Sequence, residues 1–114
     1  MQTSISHGPV LTAEQAIVEI TAQGLYPVVL DVPATENDFH WHEFDSVSYV
    51  LEGSLEVTVQ ATGEVYTLVP GDRSEAKAGF VHREKHSGFK AAFGLSVDPA
   101  TLSLPIEKPL PAPT

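Results

Sequence analysis

The sequence predicts an all-β domain, a sandwich or barrel of short strands with one helix ahead of it. Three observations carry this. Leu55, Val57 and Val59 alternate with Glu56, Thr58 and Gln60, the period of a strand with one buried face. Phe89, Ala91, Phe93, Leu95 and Val97 repeat that period over nine residues. Turn signals at Glu52-Gly53, Thr62-Gly63, Pro70-Gly71-Asp72, Gly79 and Ser87-Gly88 divide the chain every ten residues or so.

The helix is read from its ends. Thr12-Ala13-Glu14-Gln15 has the form of a capping box, in which the Thr hydroxyl and the Gln side chain satisfy reciprocal backbone donors. Ala16, Ile17 and Ile20 follow at helical spacing, and Gly24 supplies a left-handed stop, so a helix is expected over about residues 13–23. Residues 1–11 read as an irregular arm. The barrel is expected over 26–98. The segment 99–114, with five prolines in sixteen residues, is expected to be extended and without ladder bonds. Whether it drapes over the barrel, meets a neighbouring subunit or stays disordered is open at this point.

Length and composition bound the function. A chain of 114 residues, 42% hydrophobic and 18% charged, is a single globular domain with one modest core. Its apolar runs are too short to span a membrane, no secretory signal is visible, and a cytoplasmic location is the default. Without cysteine, His, Asp and Glu are the only strong metal ligands. The net charge of −9 disfavours nucleic acid as a partner. Residues 1–72 hold eleven carboxylates and no Lys or Arg, while five of the six basic residues lie between Arg73 and Lys90. That basic cluster either draws an anionic ligand to one rim or pairs with acids on a solvated surface. Surface pairing is the expectation.

His40 and His42 stand one residue apart in a segment of strand period, so both imidazoles are expected on one face, with Trp41 on the other. Two histidines at i and i+2 can present two nitrogens to one ion. The stretch from His40 to Gly53 resembles the first sequence motif of the cupin family: two histidines, a carboxylate four residues after the second, and a glycine seven further on. The stretch Gly71-Asp72 through Lys77-Ala78-Gly79-Phe80-Val81-His82 resembles the second motif. The resemblance covers about residues 26–97. It implies a cupin-type double-stranded β-barrel, jelly-roll-like, behind the short helix.

The resemblance also implies His40, His42 and His82 as metal ligands, but with departures. The family glutamate position holds Ser46, the second-motif proline is Lys77, the usual terminal asparagine is His86, and the glycine before the first histidine is Ala34. Three neutral imidazoles bind Zn²⁺, Fe²⁺, Ni²⁺ or Cu²⁺, so the cofactor expected is a divalent ion of the Zn, Fe, Ni or Mn class. Lacking the carboxylate, such a site would keep the full charge of the ion and favour an anionic ligand. Glu84, two residues after His82, points inward if the strand continues, as a general acid/base or substitute ligand. Phe44 and Ser46 share the phase of the histidine pair and are expected in the pocket. Glu43 and Asp45 fall on the opposite face, and His86, beside a turn, is expected at the surface. Trp41, Tyr49 and Phe93 are read as core or interface residues.

Two functions remain open, beside a third in which the barrel is only a dimerisation and scaffold unit. One is a metal-dependent enzyme of dioxygenase, isomerase or lyase type acting on a small organic molecule. The other is a non-catalytic small-molecule binder with a degenerate, metal-free site. A homodimer is expected, because a barrel this small leaves sheet edges to cover.

Overall fold

The computed structural model describes residues 3–103 and 105–112. Nine strands and one α-helix follow in chain order: β1 (Thr3–His7), α1 (Ala13–Ala22), β2 (Tyr26–Val32), β3 (Thr35–Glu36), β4 (Ser46–Gly53), β5 (Leu55–Val59), β6 (Val65–Leu68), β7 (Asp72–Ala76), β8 (His82–His86) and β9 (Phe89–Leu95). A 3-10 turn at Pro99–Thr101 opens the tail. The strands form two antiparallel sheets, β1-β7-β4-β9-β2 and β3-β8-β5-β6. From β2 onward the chain passes from one sheet to the other at every step except β5 to β6, which are neighbours in the four-stranded sheet. It therefore closes a double-stranded barrel of the expected jelly-roll kind.

The helix forms where its caps place it. Thr12 Oγ1 accepts from Gln15 N at 3.1 Å and Gln15 Oε1 accepts from Thr12 N at 2.9 Å, the reciprocal pair of the capping box. Gly24 follows with φ of 77°, a conformation that disfavours a side chain. Ala16 and Ile20 are fully buried against Val47, Leu51 and Ala92 on the outer face of the five-stranded sheet. Gly94 permits that approach: a Cβ there would lie 2.8 Å from Ile20 Cγ2 and 2.9 Å from Val47 Cγ2. A second cluster, Val50, Leu55 and Leu68 with Ile5, Val57 and Phe89, packs inside the barrel.

Two expectations are corrected here. The segment read as an irregular arm contains β1, paired with β7 from Thr3↔Ala76 to His7↔Asp72. Ile5 is the one large apolar residue of β1, so the strand has no legible period of its own; pairing with β7 forms it. The tail is not free of ladder bonds either. Trp41 and Lys108 exchange backbone hydrogen bonds of 3.1 and 2.8 Å, and Trp41 Nε1 donates to the Pro109 carbonyl at 2.9 Å. These contacts lay the tail across the barrel mouth.

Candidate functional site

Strand pairing brings His40, His42 and His82 together. His40 and His82 exchange both backbone hydrogen bonds, 2.9 and 3.0 Å, so they form an antiparallel pair with side chains on one face. His82 also continues β8 beside Val59 of β5. His42 follows His40 by one pleat, and its carbonyl accepts from Gly79 N at 3.0 Å, which ties the loop before β8 to the first histidine segment. The ring centroids lie 4.6 to 5.4 Å apart. The candidate ligand nitrogens all fall within 4.8 Å of one another.

Each imidazole is held in one tautomer. His40 Nδ1 meets the Asp38 carbonyl at 2.8 Å, His42 Nδ1 the Ile106 carbonyl at 3.0 Å, and His82 Nδ1 the Phe80 carbonyl at 3.0 Å. A carbonyl oxygen only accepts, so each Nδ1 carries the proton and donates it. In the neutral rings all three Nε2 lone pairs are then exposed to a common point. This is how metal-binding histidines are usually oriented.

Glu84 completes the cluster. Its Oε1 stands 3.0 Å from His82 Nε2 and its Oε2 3.5 Å from His40 Nε2. With Nδ1 protonated, His82 Nε2 and Glu84 Oε1 are two acceptors face to face. Only a positive charge between them, a proton or a cation, makes that contact favourable. His40 Nε2 is buried and has no hydrogen-bond partner among the described residues. An orphaned buried nitrogen of this kind is costly unless something ligates it. The donor set therefore fits a divalent ion.

Asn37 holds Glu84 in place. Asn37 Nδ2 donates to Glu84 Oε2 at 2.7 Å and Asn37 Oδ1 accepts from Glu84 N at 2.8 Å. Burial opposes the charged form of Glu84, but His40, His82 and Asn37 outweigh it and hold the carboxyl well below the usual carboxylate range. For His40, burial pushes the pKa down, while Glu84 and the Asp38 carbonyl push it further up, so the net shift is above 6.5. His42 is pushed down to about 4, first by burial and then by the neighbouring His82 and His40.

The inward faces of the strands line a cavity of about 590 Å³ behind this cluster. Phe44 and Ser46 line it, as the strand phase predicts, and Phe44 stacks on His42 at 5.1 Å. Glu43 and Asp45 do not line it: Glu43 meets Lys108 at 3.5 Å, and Asp45 Oδ1 accepts from Ala78 N at 2.8 Å. Tyr49 packs beside α1 and accepts from Arg73 Nε at 3.0 Å, whereas Phe93 lines the cavity. His86 does not lie at the surface as expected. β8 runs through it, so the period of two carries its half-buried ring into the cavity wall.

Two residues escaped the sequence reading. Asn37 is 47 positions from Glu84, and Glu107 lies in the tail, with Oε1 3.9 Å from His40 Nε2 and 3.3 Å from Asn37 Nδ2. Neither carries a local pattern. Three of the five residues of the basic cluster meet partners outside the cavity: Arg73 pairs with Glu75 at 3.0 Å, Lys90 with Glu52 at 3.8 Å, and Arg83 lies 4.6 Å over the Phe39 ring.

Comparison with known proteins agrees with this architecture. No curated protein matches the chain. A DUF861 family protein from Thermotoga maritima is 21% identical, with a TM-score of 0.60, covering 82% of this chain and 98% of that one. KdgF from Halomonas sp. is 22% identical with a TM-score of 0.54, over 88% and 83% of the two chains. The DMSP lyase DddQ from Ruegeria pomeroyi DSS-3 is 25% identical with a TM-score of 0.57, over 68% of this chain and 41% of the lyase. Residues 28–98 match the cupin domain family, and with the double-stranded barrel around them they make this chain a member of that family.

Proposed function

We propose that this cupin binds one divalent metal ion through His40, His42, His82 and Glu84 and acts on a small organic molecule admitted to the cavity beside it. The observation that carries this is the set of three imidazoles, each pinned at Nδ1 by a backbone carbonyl, whose Nε2 atoms converge next to an ionised Glu84. Glu84 supplies, from β8, the carboxylate that the family pattern would put at Ser46. Held far below the usual carboxylate range, it is a poor proton acceptor and a good ligand.

The ion would serve as a Lewis acid toward an oxygen of the bound molecule. Glu107 stands on the solvent side of the cluster, more than half exposed, where its carboxylate suits proton exchange with a ligand. Ile106 and Leu102 of the tail restrict water at the mouth. Lyase or isomerase chemistry, in which a proton moves next to a polarised oxygen, fits these groups best. The structural likeness to a DMSP lyase accords with this at the level of the fold.

Calorimetric titration of Zn²⁺, Ni²⁺ and Fe²⁺ into the native chain and into Glu84→Gln tests the reading. Binding by the native chain with at least a tenfold loss in Glu84→Gln, about 1.4 kcal/mol, is expected. Absence of binding to the native chain would leave a metal-free small-molecule binder in its place.

A further inference from the structure

We infer that the cavity takes an uncharged, largely apolar molecule that brings one polar end to the His–Glu cluster. This rests on the reading of that cluster as the working end of the cavity, and it specifies the class of molecule. Of the thirty described residues that line the cavity, none is Lys or Arg, and nineteen are Ala, Val, Leu, Ile, Phe or Pro. An anionic ligand would leave its charge without a cationic side chain to pair with, in a wall that cannot solvate it. Glu84 and Glu107 at the mouth add repulsion, and together they balance the two positive charges of a bound ion. The preference for an anion expected from three histidines alone is thereby removed.

The polar groups within the cavity point the same way. Ser48 and Ser74 hydroxyls lie 2.6 Å apart and share one hydrogen bond, which leaves one O–H as a neutral donor to the cavity, and the Tyr66 hydroxyl is turned to Glu64 at 3.0 Å. His86 Nδ1 accepts from Gly88 N at 3.1 Å, so its neutral ring keeps a proton on Nε2, a donor suited to a neutral oxygen. Around them the wall is hydrocarbon and aromatic, with Phe89 edge-on to His86 at 4.6 Å. An apolar volume of this size, with no Lys or Arg among its described lining residues, is complementary to a hydrophobic body rather than to a sugar acid or a phosphate ester.

Two probes of nearly equal shape test this: 1-naphthol and 1-naphthoate. Each is titrated into chelator-treated protein and into the same protein with Zn²⁺ added. The expected result is at least tenfold tighter binding of naphthol in both preparations. Ser46→Phe and Val57→Phe, checked for folding by circular dichroism, each narrow the cavity and should weaken naphthol at least tenfold. Equal or tighter binding of naphthoate overturns the proposal. So does a failure of naphthol to bind either preparation, or naphthol affinity unchanged in a folded variant. If the selectivity holds while Zn²⁺ fails to bind, the metal reading falls and the cavity assignment stands, so the two failures are separable.

Discussion

The two faces of the five-stranded sheet make opposite use of the same strands. On the outer face Val47, Leu51 and Ala92 meet Ala16 and Ile20 of the helix with no room left, and Gly94 lacks a side chain because none would fit. On the inner face Ser46 and Ser48 of β4, with Ala91, Phe93 and Leu95 of β9, border the cavity, and only at its closed end does Val50 pack against Leu55 and Leu68. A strand sends alternate side chains to opposite faces, so one segment can close a core and line a chamber at once. Close packing gives the outer face its share of stability, whereas the inner face leaves contacts unmade and keeps volume for a ligand.

The sharpest break of this contrast is in stability. Ile20→Ala removes a fully buried side chain from the outer core and should cost about 2–5 kcal/mol in denaturant unfolding. Val57→Ala, on the half-buried chamber wall, should cost at most about 1 kcal/mol. Similar losses at the two sites would mean that the chamber wall is packed as tightly as the helix face.

The next effect should appear in metal affinity and barely in stability. Asn37→Ala frees Glu84 from two hydrogen bonds, and loss of such a supporting contact is expected to weaken Zn²⁺ by 10- to 100-fold in calorimetry. Unchanged affinity would show that Glu84 is held, or the ion bound, without it. In the Glu84→Gln background, adding Ser46→Glu should restore most of the lost affinity, while Ser46→Glu alone should gain less than tenfold because a carboxylate is already present. A chain ending at residue 98 loses the Ile106 carbonyl that orients His42, and about a tenfold weaker Zn²⁺ affinity is expected.

A smaller effect lies at the sheet edge. Asp72 is buried, accepts from Val69 N at 2.9 Å and contacts His7 of β1. Burial raises its pKa, but those two partners outweigh burial and set it below 3.8. A carboxyl depressed in the folded state contributes stability that is present above its unfolded value and lost as pH falls through the folded one. The native chain should therefore lose about 1 kcal/mol more than Asp72→Asn between pH 5 and pH 2, read as a steeper fall in the urea midpoint. Parallel curves would remove Asp72 from the account of acid stability.

The sequence by itself determined what short-range periodicity and capping can encode. The helix between its capping box and Gly24, the strand phases of β5 and β9, and the common face of His40, His42, Phe44 and Ser46 all follow from local spacing. The same logic applied to Glu84 and extended by two residues would have found His86. The tertiary structure alone decided the rest, because it depends on partners far apart in the chain. β1 is a strand only through β7; Glu84, already inward by its phase in β8, is held at the cluster by Asn37 and His40 from another segment; and Glu107 reaches the site beside the Trp41–Lys108 bridge. Backbone carbonyls fix the three tautomers, and one of them comes from a tail 64 residues beyond His42. A carbonyl is present at every residue, so no sequence pattern marks the one that will be used.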